Sequence, residues 1–309
     1  MTAIVDTAVI GGVSSDLNER GLRGDEQRER WMILGLCAPS LLVVAVLMVI
    51  PVAWLFWLSI IGADGSLSWE NYARLAQSKS YVRIFKMTFE VAFVTTVVCV
   101  LIGYPLTYMI SQLPRRAANI AMITVLLPFW TSLLVRTYAW LVLLQKKGLV
   151  NTWLIDLGIL DDPLRLVHNY TGTIIGMSQI MLPFLVLPLY ASMRAIDRDY
   201  LKAASNLGAG PATAFWTIFF PLSLPGLFAG LLLVFVISLG FFVTPVILGG
   251  GRVTMVAMRI EKSIALYSNW GAASALAVIL LLMTLACLIV AGKLLRLDKT
   301  LGGSGGANE

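Results

Sequence analysis

The sequence predicts an all-α polytopic membrane protein with six transmembrane helices, on three observations. First, 58% of its 309 residues are Ala, Val, Ile, Leu, Met, Phe, Trp, Tyr or Cys, and only 13% are charged. A soluble domain is about 45–50% apolar even with Gly counted, and about 25% charged. A water-soluble globule of this length could not cover so much apolar surface with polar groups. Second, the charged residues fall between long charge-free runs, each sufficient for the ~20 residues that cross a bilayer. Third, a backbone in lipid must satisfy its hydrogen bonds internally, and uncharged runs of this length do so as helices. The composition excludes a disordered chain, a coiled coil, a collagen and a disulfide scaffold.

The spans follow in order. Trp31 to Ala63 carries no charge, and its hydrophobic part ends near Ile61; it exceeds one bilayer width, so a tilt or a kink at Pro39 or Pro51 is expected. Val91 to Pro114 forms the second span, with Phe85 to Glu90 as its lead-in. Ala117 to Gln145 forms the third, interrupted only by Arg136, and Asn169 to Met193 the fourth. From Ala203 to Gly251 there is again no charge, too long a stretch for one span. Its first part is punctuated by Gly208, Pro211, Pro221 and Pro225 and reads as short irregular helices, which places the fifth span at about Pro225–Leu248. The sixth lies within Ser263–Gly292, from about Ala272.

Residues 1–30 hold six acids and four arginines and lack the apolar core of a signal peptide, so they are expected to form a cytoplasmic tail. Residues 31–297 make the six-helix transmembrane domain, and 298–309 a Gly-rich, loose tail. The net charge of +6 is spread through the loops, which fits lipid headgroups and water rather than nucleic acid. Cys37, Cys99 and Cys287 sit in apolar runs as small hydrophobes, and the single His168 cannot make a metal site. Six spans put both termini on one face. Loop Lys and Arg favour the inside for that face only weakly.

The loop 194–224 carries the sharpest signal. Asp197 to Leu207 has helical spacing, Gly208 suits a helix-ending position, Pro211 can open a second short helix, and Pro221 is expected to stop it. The result is a helix–turn–helix lying across the membrane surface. Ala203, Ala204 and Gly208 give it a small-residue face that another protein could approach closely.

The stretch Lys202-Ala203-Ala204, Leu207-Gly208-Ala209, Ile218 and Pro221-Leu222 resembles the EAA loop of ABC importer permeases. Further stretches carry the same resemblance: Trp69-Glu70-Asn71-Tyr72, Gly103-Tyr104-Pro105-Leu106, Leu127-Pro128-Phe129-Trp130-Thr131-Ser132 through Trp140, Leu239-Gly240-Phe241-Phe242-Val243-Thr244-Pro245, and Asn269-Trp270-Gly271-Ala272-Ala273. The Leu127–Trp140 stretch is similar to the first-permease type of the spermidine/putrescine subfamily. The resemblance implies a type I, MetI-like permease fold in a bacterial inner membrane, with both termini cytoplasmic. It implies a second permease, two ATPase subunits and an extracytoplasmic solute-binding protein as partners. Lys202, Ala203, Ala204, Leu207, Gly208 and Pro211 would then meet the ATPase. The family's usual Glu is Lys202 here, so no contact made by that carboxylate carries over.

No GxxxxGK[ST] pattern occurs, so ATP and Mg²⁺ are expected on the partner ATPase and no cofactor on this chain, which is not itself an enzyme. Candidate residues of the solute path are Arg136, Trp130, Thr131, Tyr138, Phe241, Phe242 and Glu90. Arg136 is an ionisable group inside an apolar run, a position that faces a cavity or pairs with an acid such as Glu90. It is equally consistent with snorkelling at the outer interface beside Tyr138 and Trp140. Phe241 and Phe242 follow Gly240 and precede Pro245, which predicts an irregular helix suited to a gate, and their rings could hold an ammonium group. Packing aromatics would look the same. Some polyamine permeases have an acid where Phe241 stands, and its absence removes an obvious counter-ion for a polycation; a polyamine is favoured by the resemblance alone. Other small amines and amino-acid-like or opine-type solutes stay open, as does a secondary transporter or channel. Gly148 to Gly158 fits a short helix at the outer interface.

Overall fold

The computed structural model describes residues 32–33, 35–62 and 65–302, with side chains described as far as Lys293. The predicted tail 1–30 lies outside these residues. The chain divides into two units, residues 1–57 and 58–309.

The described part of the first unit is helical, and its apolar helix α1 is Gly35–Ile60. Helix continues through both Pro39 and Pro51.

In the second unit, α2 (Glu70–Gln77) is short and amphipathic. Asn71 explains its place: its buried amide donates to the carbonyls of Ser59 at 3.3 Å and Ile61 at 2.9 Å. α3 (Lys79–Gln112) is 34 residues long and absorbs both the predicted second span and its lead-in. Thr88, Thr96 and Thr107 return their hydroxyls to the carbonyls four residues back, which lets polar residues lie inside an apolar helix.

The expected third span is not one rod. α4 (Arg115–Leu126) passes into a 3₁₀ turn at Leu127–Trp130, and α5 (Leu133–Leu143) leaves at 97°. Pro128 tightens the turn and Thr131 is extended. The Thr131 N–H and hydroxyl both donate to the Pro128 carbonyl, at 3.2 and 2.7 Å, and close the turn. After α6 (Leu149–Asp156), the expected short helix, α7 (Tyr170–Ala195) forms the fourth span, started by the Asn169 side chain accepting from the Gly172 N–H at 2.8 Å.

The fifth span also departs from expectation. α8 (Arg198–Asn206) is followed by α9 (Pro211–Ala214), a π turn at Phe215–Phe219 and α10 (Phe220–Leu239), and from Pro211 to Leu239 these run as one apolar helix. Pro221 therefore does not stop a helix, and the span ends at Leu239 rather than near Leu248. The wide π turn immediately precedes Pro221, so the ring meets no tightly wound turn. The chain then breaks at Gly240–Phe242 and re-forms as α11 (Val243–Gly249), as Gly240 and Pro245 led one to expect. α12 (Val256–Ala265) and α13 (Trp270–Gly302) complete the fold, α13 remaining helical into the predicted tail.

α3, α7 and α10 form the centre of this unit, with Cys99, Met181, Leu185, Leu189 and Val234 fully buried between them. Small residues set the spacing. A methyl group on Gly226 would lie 2.3 Å from the Ser192 Cβ and 2.8 Å from the Pro188 carbonyl, and one on Gly230 would lie 2.9 Å from the Leu185 carbonyl. α7 and α10 are therefore in backbone contact, as small residues permit in lipid.

Candidate functional site

Two regions carry the residues singled out from the sequence, and the triad α3–α7–α10 links them.

The first is the connection from α7 to α10. Asp197 caps α8 by accepting from the Asp199 N–H at 2.9 Å. Leu207 closes the helix, and Gly208 takes φ +85, the left-handed conformation that a glycine adopts without a Cβ penalty. The Ala209 N–H then returns to the Ala204 carbonyl at 2.9 Å, and Pro211 opens α9. The outer surface of this turn is Lys202, Ala203, Leu207, Gly208 and Pro211, all exposed; Leu207 keeps 89% of its surface free. Ala204 is different. It is buried, so the expected small-residue face consists of Ala203 and Gly208 without it. Lys202 pairs with Asp199 at 2.7 Å on the open surface. That carboxylate, as hydrogen-bond acceptor and as neighbouring charge, holds the Lys202 ammonium above the usual lysine pKa.

Behind the turn stands an aromatic block. Phe215 and Phe219 of the π turn meet Tyr108 of α3 edge-on at 5.1 and 5.0 Å, and Phe220 lies 5.7 Å from Tyr104. The Tyr104 and Ser223 hydroxyls are 2.9 Å apart, and Arg194 at the end of α7 donates to the Ser111 carbonyl at 3.2 Å. These contacts join the π turn and the start of α10 to α3, and the end of α7 to the end of α3.

The second region surrounds the break after α10. Thr137 on α5 and Thr244 on α11 are buried with hydroxyls 3.4 Å apart. Gly176 of α7 sits against Thr244 and Leu248. Trp140 donates to the Gln179 side chain at 3.3 Å. Phe241 packs against two of the apolar clusters of the bundle and Phe242 against one of these, each half-buried. Arg136 is half-buried beside Thr137, and its Nε and one terminal nitrogen are enclosed without a hydrogen-bond partner. The expected pair with Glu90 does not form: among the described residues the ion pairs are Arg74–Glu70 and Lys202–Asp199, and the carboxyl of Glu90 instead neighbours Tyr170. Trp130 and Thr131 are exposed at the α4–α5 elbow, and Tyr138 is exposed on α5.

Sequence reading missed part of this region. Thr95, Ser178 and Ser238, on α3, α7 and α10, are buried with unpartnered hydroxyls. The Cys99 thiol donates to the Ser178 carbonyl at 3.4 Å, and Thr95 precedes Cys99 by one turn on the same face of α3. Their signal was hydroxyl residues within apolar runs, which does not distinguish a cavity lining from a hydroxyl returned to its own helix.

Residues 100–297 match the family described as binding-protein-dependent transport system inner membrane component. The chain belongs to this family of ABC importer permeases. The permease is 35% identical over 254 residues to the spermidine/putrescine transport system permease protein PotB of Haemophilus influenzae, covering 80% of this chain and 84% of that one. It is 33% identical to PotB of Escherichia coli over 67% of this chain and 76% of that one. A more distant relative is the putative 2-aminoethylphosphonate permease PhnU of Salmonella typhimurium, 26% identical over 82% of this chain and 88% of that one. Its fold matches a chain of a bacterial alginate ABC transporter with TM-score 0.66 at 17% identity, covering 89% of this chain and 98% of that one. A chain of the alginate transporter in complex with its alginate pentasaccharide-bound periplasmic protein matches with TM-score 0.69 at 16% identity, covering 85% and 93%. The permease is a multi-pass inner-membrane subunit and not a catalyst in itself.

Proposed function

We propose that the permease forms, with a second permease, the path by which a polyamine of the putrescine/spermidine class crosses the inner membrane, and that α8–Gly208–α9 receives the force of two partner ATPases. The observation that carries the coupling role is the exposed turn at Leu207–Gly208, backed by an aromatic block shared with α3 and α10. A rigid surface helix joined to the packed centre suits transmission of a rigid-body motion between discrete packings. This reading puts the α8 end, and both termini, in the cytoplasm, and a solute-binding protein at the far end. The region around Arg136, Thr137, Thr244, Phe241 and Phe242 is the proposed contribution to the path, with Thr95, Ser178 and Ser238 behind it. The half-buried rings of Phe241 and Phe242 supply faces for an ammonium group. Trp130, Thr131, Tyr138 and Glu90 complete the proposed path set.

One observation favours a second reading. Arg136 has enclosed nitrogens and, among the described residues, no carboxylate partner, which suits a solute carrying an anionic group beside its amine, such as the aminophosphonate named for the distant relative. Competitive uptake by cells expressing the intact transporter separates the two. Labelled putrescine displaced by spermidine and not by 2-aminoethylphosphonate supports the first; the reverse supports the second. Within either, Gly208→Asp is expected to leave the protein inserted and abolish solute-stimulated ATP hydrolysis. Retained stimulation would refute the coupling role.

A further inference from the structure

A groove of about 640 Å³ lies between α2, α3 and α13. Tyr72 and Leu75 of α2, Phe85 and Phe89 of α3, and Ile279 and Met283 of α13 line it, and Lys86 is the one charged residue in the lining. Along α3 the lining runs from Tyr81 to Phe89, about 12 Å of helix. One leaflet of hydrocarbon is about 15 Å deep. The walls are fixed by packing. Leu75 is buried with Val256, Ala275 and Leu276, and Tyr72, Phe85 and Ile279 pack on that cluster. The Tyr72 hydroxyl donates to the Ser59 hydroxyl at 2.8 Å, and the Arg259 guanidinium lies 5.7 Å from the centre of the Tyr81 ring.

The place of the groove in the bilayer follows from the sequence. The charge-free run of α3 begins at Val91, and Lys86 precedes it by about 7.5 Å of helix. The headgroup layer outside the hydrocarbon is about 5–8 Å thick. Trp69, just before α2, and Trp270, the first residue of α13, are exposed, as aromatic residues are where lipid meets water. Lys86 therefore stands at headgroup level, and Phe89 and Met283 lie further along their helices toward the hydrocarbon. Lys86 is exposed and forms no ion pair among the described residues. Glu90, one turn further along α3, is outside the lining and does not pair with it, and Glu70 of α2 is held by Arg74.

We infer that the α2–α3–α13 groove is a binding site for one anionic phospholipid, with its phosphate at Lys86 and an acyl chain along Phe85, Phe89, Ile279 and Met283. An apolar channel of fixed shape takes a hydrocarbon chain, and a single unpaired ammonium at headgroup level takes a phosphate. A zwitterionic lipid is a poorer fit, because its own ammonium group faces Lys86. An apolar helix is a poorer fit still. The α1 of a second copy carries no charge from Gly35 to Ile60, so it would cover Lys86 without supplying a counter-charge, which is costly at membrane depth. A lipid seated here touches all three helices and ties α2 and α13 to α3. The inference depends on neither the solute carried nor the face to which the groove belongs.

The test uses the complete transporter in detergent with a phosphatidylglycerol that carries a photoreactive group on its acyl chain. Labelled peptides are mapped, and unlabelled lipids compete. Label is expected on the segments 85–89 of α3 and 279–283 of α13. Phosphatidylglycerol should compete at a concentration about fivefold lower than phosphatidylethanolamine of the same chains, the worth of one lysine near a charged headgroup. Lys86→Gln should bring the two lipids to within about twofold of each other, and Lys86→Arg should keep the preference. Ala76→Trp puts a large ring into the lining and should weaken labelling of both segments about threefold or more, whichever lipid is used. Equal competition by the two lipids in the parent overturns the inference, as does an undiminished preference in Lys86→Gln. Should Lys86→Gln fail to assemble, the competition in the parent and the Ala76→Trp variant decide the matter. Absence of label from both segments in the assembled transporter, with label present elsewhere on its lipid-facing helices, would assign the groove to the second permease and overturn the inference.

Discussion

Replacing Gly208 by Ala isolates backbone strain from steric clash. A Cβ at this position would meet nothing within 4 Å, so the methyl group itself costs nothing by contact. The backbone, however, sits at φ +85, where an L-residue with a side chain is about 1–2 kcal/mol worse than glycine. The turn is exposed, so this energy is spent on the local geometry of α8–α9 rather than on the buried triad. Released locally, about 1–2 kcal/mol lowers the population of the docking-competent turn by a factor of about 5–30. Asn tolerates the left-handed region better than Ala. The expected order of solute-stimulated ATP hydrolysis is therefore Gly208, then Asn, then Ala, then Val, with the melting temperature of the assembled complex nearly constant. ATPase retention on co-purification should follow the same order. Wild-type stimulation in Gly208→Ala, or an Asn variant as impaired as Ala, would refute the strain argument.

Gly226→Ala should destabilise by about 1–3 kcal/mol, because the new methyl group overlaps Ser192 and the Pro188 carbonyl; Ser192→Gly should recover part of the loss, and thermal unfolding in detergent reads both. By contrast Gly292→Ala on α13 meets no atom within 4 Å and should be neutral or stabilising by up to about 1 kcal/mol in the same assay. Asn71→Ala removes two hydrogen bonds that hold the 59–61 backbone and should cost about 1–3 kcal/mol, whereas Asn71→Asp keeps the shape and loses the donors; equal melting of Ala and parent would contradict the assignment. The Lys202–Asp199 pair predicts a pH effect of known sign. The folded pKa of Lys202 lies above its ordinary 10.5, so the pair's contribution is fully present below pH 10.5 and is lost as pH rises through the folded value. Both groups are exposed, so Lys202→Gln should melt like the parent at pH 7; a large loss there would show that the pair is structural.

Much of the molecule was legible in the sequence because the bilayer is a demanding solvent. Charge-free runs overlap every one of the five long apolar helices among the described residues, though not the bounds of the fifth, and Gly208 between two helical patterns marked the turn that the structure bears out at φ +85. Local chemistry was less reliable where two prolines compete with tertiary packing. Pro221 reads as a stop, yet a π turn and the close α7–α10 contact keep that helix continuous. The run from Ala117 to Gln145 reads as one span, yet Pro128 and an extended Thr131 turn it by 97°. Ala204 reads as part of an exposed face and is buried, because the helical face it belongs to is decided by what lies beneath α8.

Hydropathy, punctuation and motif spacing therefore determined the class of protein, the positions of the apolar runs, the surface turn and the family resemblance. These depend on interactions with solvent or on residues within one turn of each other, and such terms are written locally. The tertiary structure alone decided that Arg136 has no carboxylate partner among the described residues, that the Cys99 thiol meets the Ser178 carbonyl, that the Thr137 and Thr244 hydroxyls come within 3.4 Å, and that the Thr88 hydroxyl accepts from the Val256 N–H. Those relations join residues up to about 170 positions apart, as the Thr88–Val256 hydrogen bond does. They follow from how the helices are packed, which no local pattern of hydrophobicity or charge specifies.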